Sequence, residues 1–195
     1  MRSRARFTSP FMALVFVFSF IACSVNVHKN NQGEDKNVDI DTPLGGIHVS
    51  NDADVRDTGL PVYPGARIKQ KKDSADEKSA NVNISAGGFG LKVVAIEYET
   101  DDVPAKVAAF YQEQMKKFGP VLQCHTSRHS SGYSGQGGHA DRSEQLKCDD
   151  DGNGKNIELK VGTESNQHLV SIEPKDKGAD FALVYVRTHG KEGSI

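Results

Sequence analysis

Leu91-Lys-Val-Val-Ala-Ile-Glu-Tyr-Glu99, followed after Thr100 by Asp101-Asp-Val-Pro-Ala-Lys-Val-Ala-Ala-Phe-Tyr-Gln-Glu-Gln-Met-Lys-Lys-Phe-Gly119, is the stretch whose reading decides the fold. Its first half is a strand. The run Val93-Val-Ala-Ile96 leaves neither face polar, which predicts burial on both faces and a central place in a sheet. The second half changes period. Val103, Val107, Phe110, Tyr111, Met115 and Phe118 recur at helical spacing and form one apolar stripe. Asp101 or Asp102 is expected as the cap, and Pro104 falls in the first turn, where its missing N–H costs little. Lys116 and Lys117 suit the negative end of the helix, and Gly119-Pro120 stops it. The helix is therefore expected over about residues 102–118, with its stripe packed on a sheet.

The flanking segments are β in character. Val82 and Ile84 alternate with Asn83 and Ser85, and Gly87-Gly-Phe-Gly90 turns the chain into the central strand. Val38-Asp-Ile40 and Ile47-His-Val49 predict a hairpin, with Gly45-Gly46 between them. Residues 50–58 are charged and turn-like. Gly59-Leu-Pro-Val-Tyr-Pro-Gly-Ala66 predicts a fixed turn that points Val62 and Tyr63 inward. Beyond the helix, residues 121–124 (VLQC) and 145–148 (QLKC) are strand-like. Ile157, Leu159 and Val161 alternate with Glu158 and Lys160, and residues 168–172 and 181–187 are two further strands. One helix and about eight strands predict a single α+β domain, mainly antiparallel sheet with the helix packed on it. It spans residues 39–189. Residues 39–58 are read either as part of it or as a separate β-hairpin extension, and residues 190–195 as a polar tail.

The chain has 195 residues, no tryptophan and a formal charge of −2. The basic run Lys69-Gln-Lys-Lys72 is followed at once by Asp73, Asp76 and Glu77, and reads as a solvated loop. A mildly acidic chain without a basic face excludes nucleic acid as a partner, since phosphate binding needs clustered Lys and Arg.

The first 22 residues read as an export signal. Arg2, Arg4 and Arg6 precede twelve almost unbroken apolar residues, Phe11 to Ala22. That run is too short for a membrane-crossing helix, which needs about 20 residues. Ending in Phe20-Ile-Ala-Cys23-Ser24, it resembles the lipobox of bacterial lipoproteins, with Phe20 standing where leucine is usual. The resemblance implies cleavage before Cys23 and lipid, including palmitate, on that cysteine. Cleavage after Ser24 is the alternative, because Ala22-Cys-Ser24 is also an acceptable small-x-small site. Ser24 in place of aspartate implies sorting to the outer membrane in an organism that has one. Residues 23–38 then read as the lipidated cysteine and a flexible polar tether.

If Cys23 carries lipid, Cys124 and Cys148 remain as a pair, and an oxidising compartment favours a disulfide between them. The landmarks Tyr63-Pro-Gly-Ala66 and Val107-x-x-Phe-Tyr111 resemble a pattern in uncharacterised bacterial secreted proteins and lipoproteins. The resemblance implies a small α+β domain over about residues 59–125 and carries no catalytic residues.

Candidates for chemistry are sparse. His125, His129 and His139, with Asp141, fall in a Ser/Gly-rich segment over residues 125–143 whose spacing imposes no metal geometry. Asp149, Asp151 and Asn153 have the look of a calcium loop, but position 12 of that register is Lys160 instead of glutamate, and turn chemistry explains the same letters. Gly135-x-Gly137-x-x-Ala140 lacks the strand-to-helix context of a dinucleotide fingerprint. Ser134 sits in a near-miss of a nucleophile elbow, with no base in view. The expectation is a non-enzymatic envelope lipoprotein without a cofactor, binding an envelope protein or small ligand. The alternative is a metal-dependent or hydrolytic periplasmic enzyme using the loop histidines.

Overall fold

The structure, a computed structural model, describes residues 24–29, 35–50, 52–70, 79–127, 145–148 and 154–190. Among them are ten strands: β1 (Ser24–Lys29), β2 (Asp35–Thr42), β3 (Gly45–Ser50), β4 (Arg67–Ile68), β5 (Ser79–Ala86), β6 (Phe89–Thr100), β7 (Leu122–Thr126), β8 (Asn156–Thr163), β9 (Asn166–Pro174) and β10 (Ala179–His189). They form one antiparallel sheet in the order β1-β2-β3-β5-β6-β10-β9-β8-β7, and β4 extends the β5 edge of β6. The helix α1 (Pro104–Met115) and a 3-10 turn, Lys116–Phe118, carry the chain from β6 to the far edge at β7. The chain then meanders back through β8 and β9 to pair β10 with β6 along eleven positions. The α+β expectation holds.

The helix lies over β8 and β9. Beneath it Leu159, Val161, Val170, Ile172 and Leu183 are fully buried, as are Val107, Tyr111 and Met115 from the helix. Each such side chain contributes about 1.5–3 kcal/mol by leaving water. The centre of the expected stripe thus faces the core, while its ends, Val103 and Phe118, stay partly open. Asp101 and Asp102 do not cap the helix. Val103 does, with extended backbone (ψ 149°) and no side-chain bond. The cause is Pro104, which forces the residue before it out of the helical region.

β6 is central, as expected, but its two faces differ. Val94, Ile96 and Tyr98 are buried toward the helix layer, whereas Val93 and Ala95 on the other face are half-buried. The apolar run answers a half-covered second face, because no helix covers that side among the described residues.

Four local expectations are corrected. The β2–β3 turn falls at Pro43-Leu44, and Gly45-Gly46 already belongs to β3. Gly45 has φ +152°, and any side chain there would strike the Ser85 backbone of β5; close approach of strands, not the turn, requires it. Residues 24–38, expected as a tether, supply β1 and the start of β2. Val25 and Val27 alternate with Asn26 and His28 and pair Ile40 and Val38, a two-residue period that lets the hairpin recruit a third strand. Residues 145–148, expected as strand-like, form no strand. In addition, β3 pairs β5 throughout, so residues 45–50 are continuous with the sheet. Lys69 is not part of a solvated loop: it is half-buried and ion-paired with Asp180.

Candidate functional site

The turn and helix landmarks lock together. Ala66 N–H donates to Tyr63 O at 3.0 Å, closing a turn in which Gly65 takes φ +78°, a value that glycine adopts without strain. The Tyr63 ring meets Phe110 edge-on at 5.2 Å and Phe181 at 6.3 Å, and Tyr98 stacks on Phe181 at 5.3 Å. Tyr111 O–H donates to Pro61 O at 3.1 Å. Tyr63 O–H donates to Asp102, which also accepts from Lys106. The Lys106 and Tyr63 bonds hold the Asp102 carboxyl below its ordinary value, and burial pushes the Tyr63 and Tyr111 hydroxyls up. These are packing contacts: each landmark residue fastens residues 59–66 to the helix.

Beside this cluster lies a groove of about 550 Å³, open to solvent. Ile96 and Tyr98 floor it, Val55, Val62 and Ile68 line its sides, and Asp52 and Asp54 stand at its rim. Its floor and sides are apolar, and the Asp54 carboxylate at its rim is already paired with Arg56. A second depression, of about 350 Å³, holds Asp39, His48, Ser85, Lys92 and His189. His48 Nδ1 is paired with Asp39, yet Ser85 Oγ accepts from Gly46 N–H at 3.1 Å.

His168 was not singled out in the sequence, where it is one alternating residue of a strand. It is buried, stacked on Phe118 at 3.8 Å and tilted against Tyr185 at 4.9 Å. Its Nδ1 lies 2.8 Å from Thr58 O, an acceptor only, so the proton sits on Nδ1. Burial lowers its pKa, and nearby Lys117 lowers it further. Lys117 in turn donates to Gly59 O and lies over the Phe118 ring. His168 joins residues 58–59 to the end of the helix; its place between Gln167 and Leu169 in an alternating strand gave no sign of this.

The Cys124–Cys148 disulfide is formed, with Cα atoms 5.6 Å apart. It fastens residues 145–148 to the face of β7 and β8 opposite the helix. There Lys160 Nζ lies 3.1 Å from Glu158 Oε2, both side chains less than a tenth exposed, and also donates to Lys147 O. His125 sits in β7, not in a loop, paired with Ile157, and its exposed ring is 3.2 Å from Gln123 Nε2. Among the described residues no group of three His, Cys, Asp or Glu side chains is arranged for a metal. Cys23, His129, His139, Asp141, Asp149, Asp151 and Ser134 lie outside the described residues.

Comparison with protein family models, with curated proteins and with solved structures finds no match to the chain.

Proposed function

We propose that this chain is a bacterial lipoprotein, cut before Cys23 and held by lipid on that residue at the envelope, on the outer membrane where the organism has one. One observation carries the reading: three arginines, then a twelve-residue run broken only by Ser19 in its apolar character, end in Ala22-Cys-Ser24. The cysteine pair agrees with an exported protein, because disulfides persist in oxidising compartments. The body acts as a non-enzymatic binding or envelope-associated module. In support, Ser85, which shares a depression with His48 and Asp39, is engaged with the backbone of Gly46, and the groove over Tyr98 has no serine, cysteine or histidine among its lining residues. That groove is the place for an envelope protein's side chain or a small ligand.

The test is Cys23→Ala in the full chain expressed in its native type of host. Membrane association of the wild-type protein should be lost, leaving the variant soluble in the periplasm or retained with its signal uncut. A variant that partitions with membranes as the wild type does, with its signal removed, contradicts lipid attachment at this residue.

A further inference from the structure

The strand register fixes which end of the sheet Ser24, the residue after Cys23 in the sequence, belongs to. Ser24 pairs Asp41, so β1 starts where β2 ends. On the wing from β1 to β6 that end carries the β2–β3 tip, Thr42-Pro-Leu-Gly45, and the β5–β6 tip, Ala86-Gly-Gly-Phe-Gly90; the β8–β9 turn, which holds Glu164, lies at the same end on the far side of β10. The two tips are joined, Gly87 N–H donating to Leu44 O at 3.0 Å. Neither tip holds a charge, in a chain that is 26% charged. Each instead presents a large apolar side chain to solvent: Leu44 is 81% exposed and Phe89 48%.

Immediately behind the tips, on the face away from α1, runs a row of one apolar residue per strand. Val25, Ile40, Ile47, Ile84 and Leu91 are successive partners in the register. A second row follows with Val27, Val38, Val49, Val82 and Val93. Val25 and Ile47 are exposed and the others of the first row half-buried. Asp39 and Asp41 point to the opposite face, because β2 residues alternate.

We infer that this end of the sheet rests in the interfacial zone of the bilayer that holds the lipid, with Leu44, Phe89 and Val25 entering it. The inference rests on the lipoprotein reading. A lipid on Cys23 leaves the chain within one residue, about 3.5 Å, of the first residue of β1. No slack then separates membrane and sheet, and the tips must meet the headgroups. Apolar tips add membrane affinity to that of the acyl chains by burying area at the interface. A charged tip would be costly there.

The experiment uses the chain's lack of tryptophan. Phe89→Trp and Leu44→Trp each place a sole indole at the tips; Val103→Trp, at the opposite end and 54% exposed, is the control. The processed full chain, extracted from membranes, is reconstituted in phosphatidylethanolamine–phosphatidylglycerol vesicles with brominated acyl chains. The expected result is roughly twofold or greater quenching and a blue shift at both tip positions, and neither at the control. Unquenched tip indoles, or equal quenching at all three positions, overturn the inference. The mass of the same samples separates the two readings. A lipid adduct on Cys23 with unquenched tips sinks this inference alone; absence of the adduct sinks the anchor reading and this inference with it.

Discussion

Tyr111 and His168 are the residues whose chemistry binds separate parts of the chain. Tyr111 is fully buried and donates to Pro61 O. Tyr111→Phe keeps the ring contacts and removes one hydrogen bond, leaving the carbonyl short of a partner. A loss of about 1 kcal/mol is expected in urea unfolding, with the slope unchanged. His168 makes stability depend on pH. Its folded-state pKa lies below the ordinary value of 6.5, so the unfolded chain takes up the proton first as pH falls. Stability is full above the unfolded value and declines as pH drops below it, until the folded value is reached. His168→Gln should lower stability at neutral pH and flatten the curve as pH falls below 6.5. A variant curve parallel to wild type over that window would exclude His168 as the cause. The landmark residues Tyr63, Phe110 and Tyr111 were legible in sequence as inward-facing, whereas Val62, expected to point inward with Tyr63, is exposed at the groove. His168 was not, because a strand's alternation marks a face without saying that an aromatic ring and a distant carbonyl meet there.

At the scale of elements, the disulfide and the Lys160–Glu158 pair hold the face opposite the helix. The disulfide joins residues 24 apart and constrains the unfolded chain by about 3 kcal/mol on the chain-entropy model. Reductant, or Cys124→Ala with Cys148→Ala, should lower Tm accordingly, and an unchanged Tm would mean that residues 145–148 add nothing to the fold. The ion pair behaves differently. Lys160→Met alone leaves a buried carboxylate and should cost about 3–5 kcal/mol; combining it with Glu158→Leu should recover most of that loss. The helix, the central strand and the three returning strands were all legible from period and breakers. The helix cap was not, because the effect of Pro104 on Val103 outweighs the capping chemistry of two aspartates. Nor was the place of the β2–β3 turn: Gly45-Gly46 carries the letters of a turn but serves the close approach of β5.

Over the whole molecule, the helix covers only the part of the sheet near β8 and β9, and the wing from β1 to β5 is amphipathic the other way round. Its apolar rows face away from the helix, and its polar residues, among them Asn26, Asp39, His48 and Asn83, share the helix side. Alternation made each strand visible, but the continuity of the rows needs the register of five strands, which no single strand's sequence contains. Residues 24–38 escaped recognition for a related reason. Short β segments dense in Asn, Asp and Lys resemble a solvated linker until a hairpin is available for them to extend. With a strand beginning at Ser24, the position of cleavage becomes a structural matter as well as a biosynthetic one. Intact mass of the protein extracted from membranes of an expressing bacterium is the most direct measure of it. The account predicts a chain beginning at Cys23, heavier than its sequence by a diacylglyceryl group and an amide-linked acyl chain, with Cys124 and Cys148 oxidised. An unmodified chain beginning at Val25 or at Met1 would contradict it.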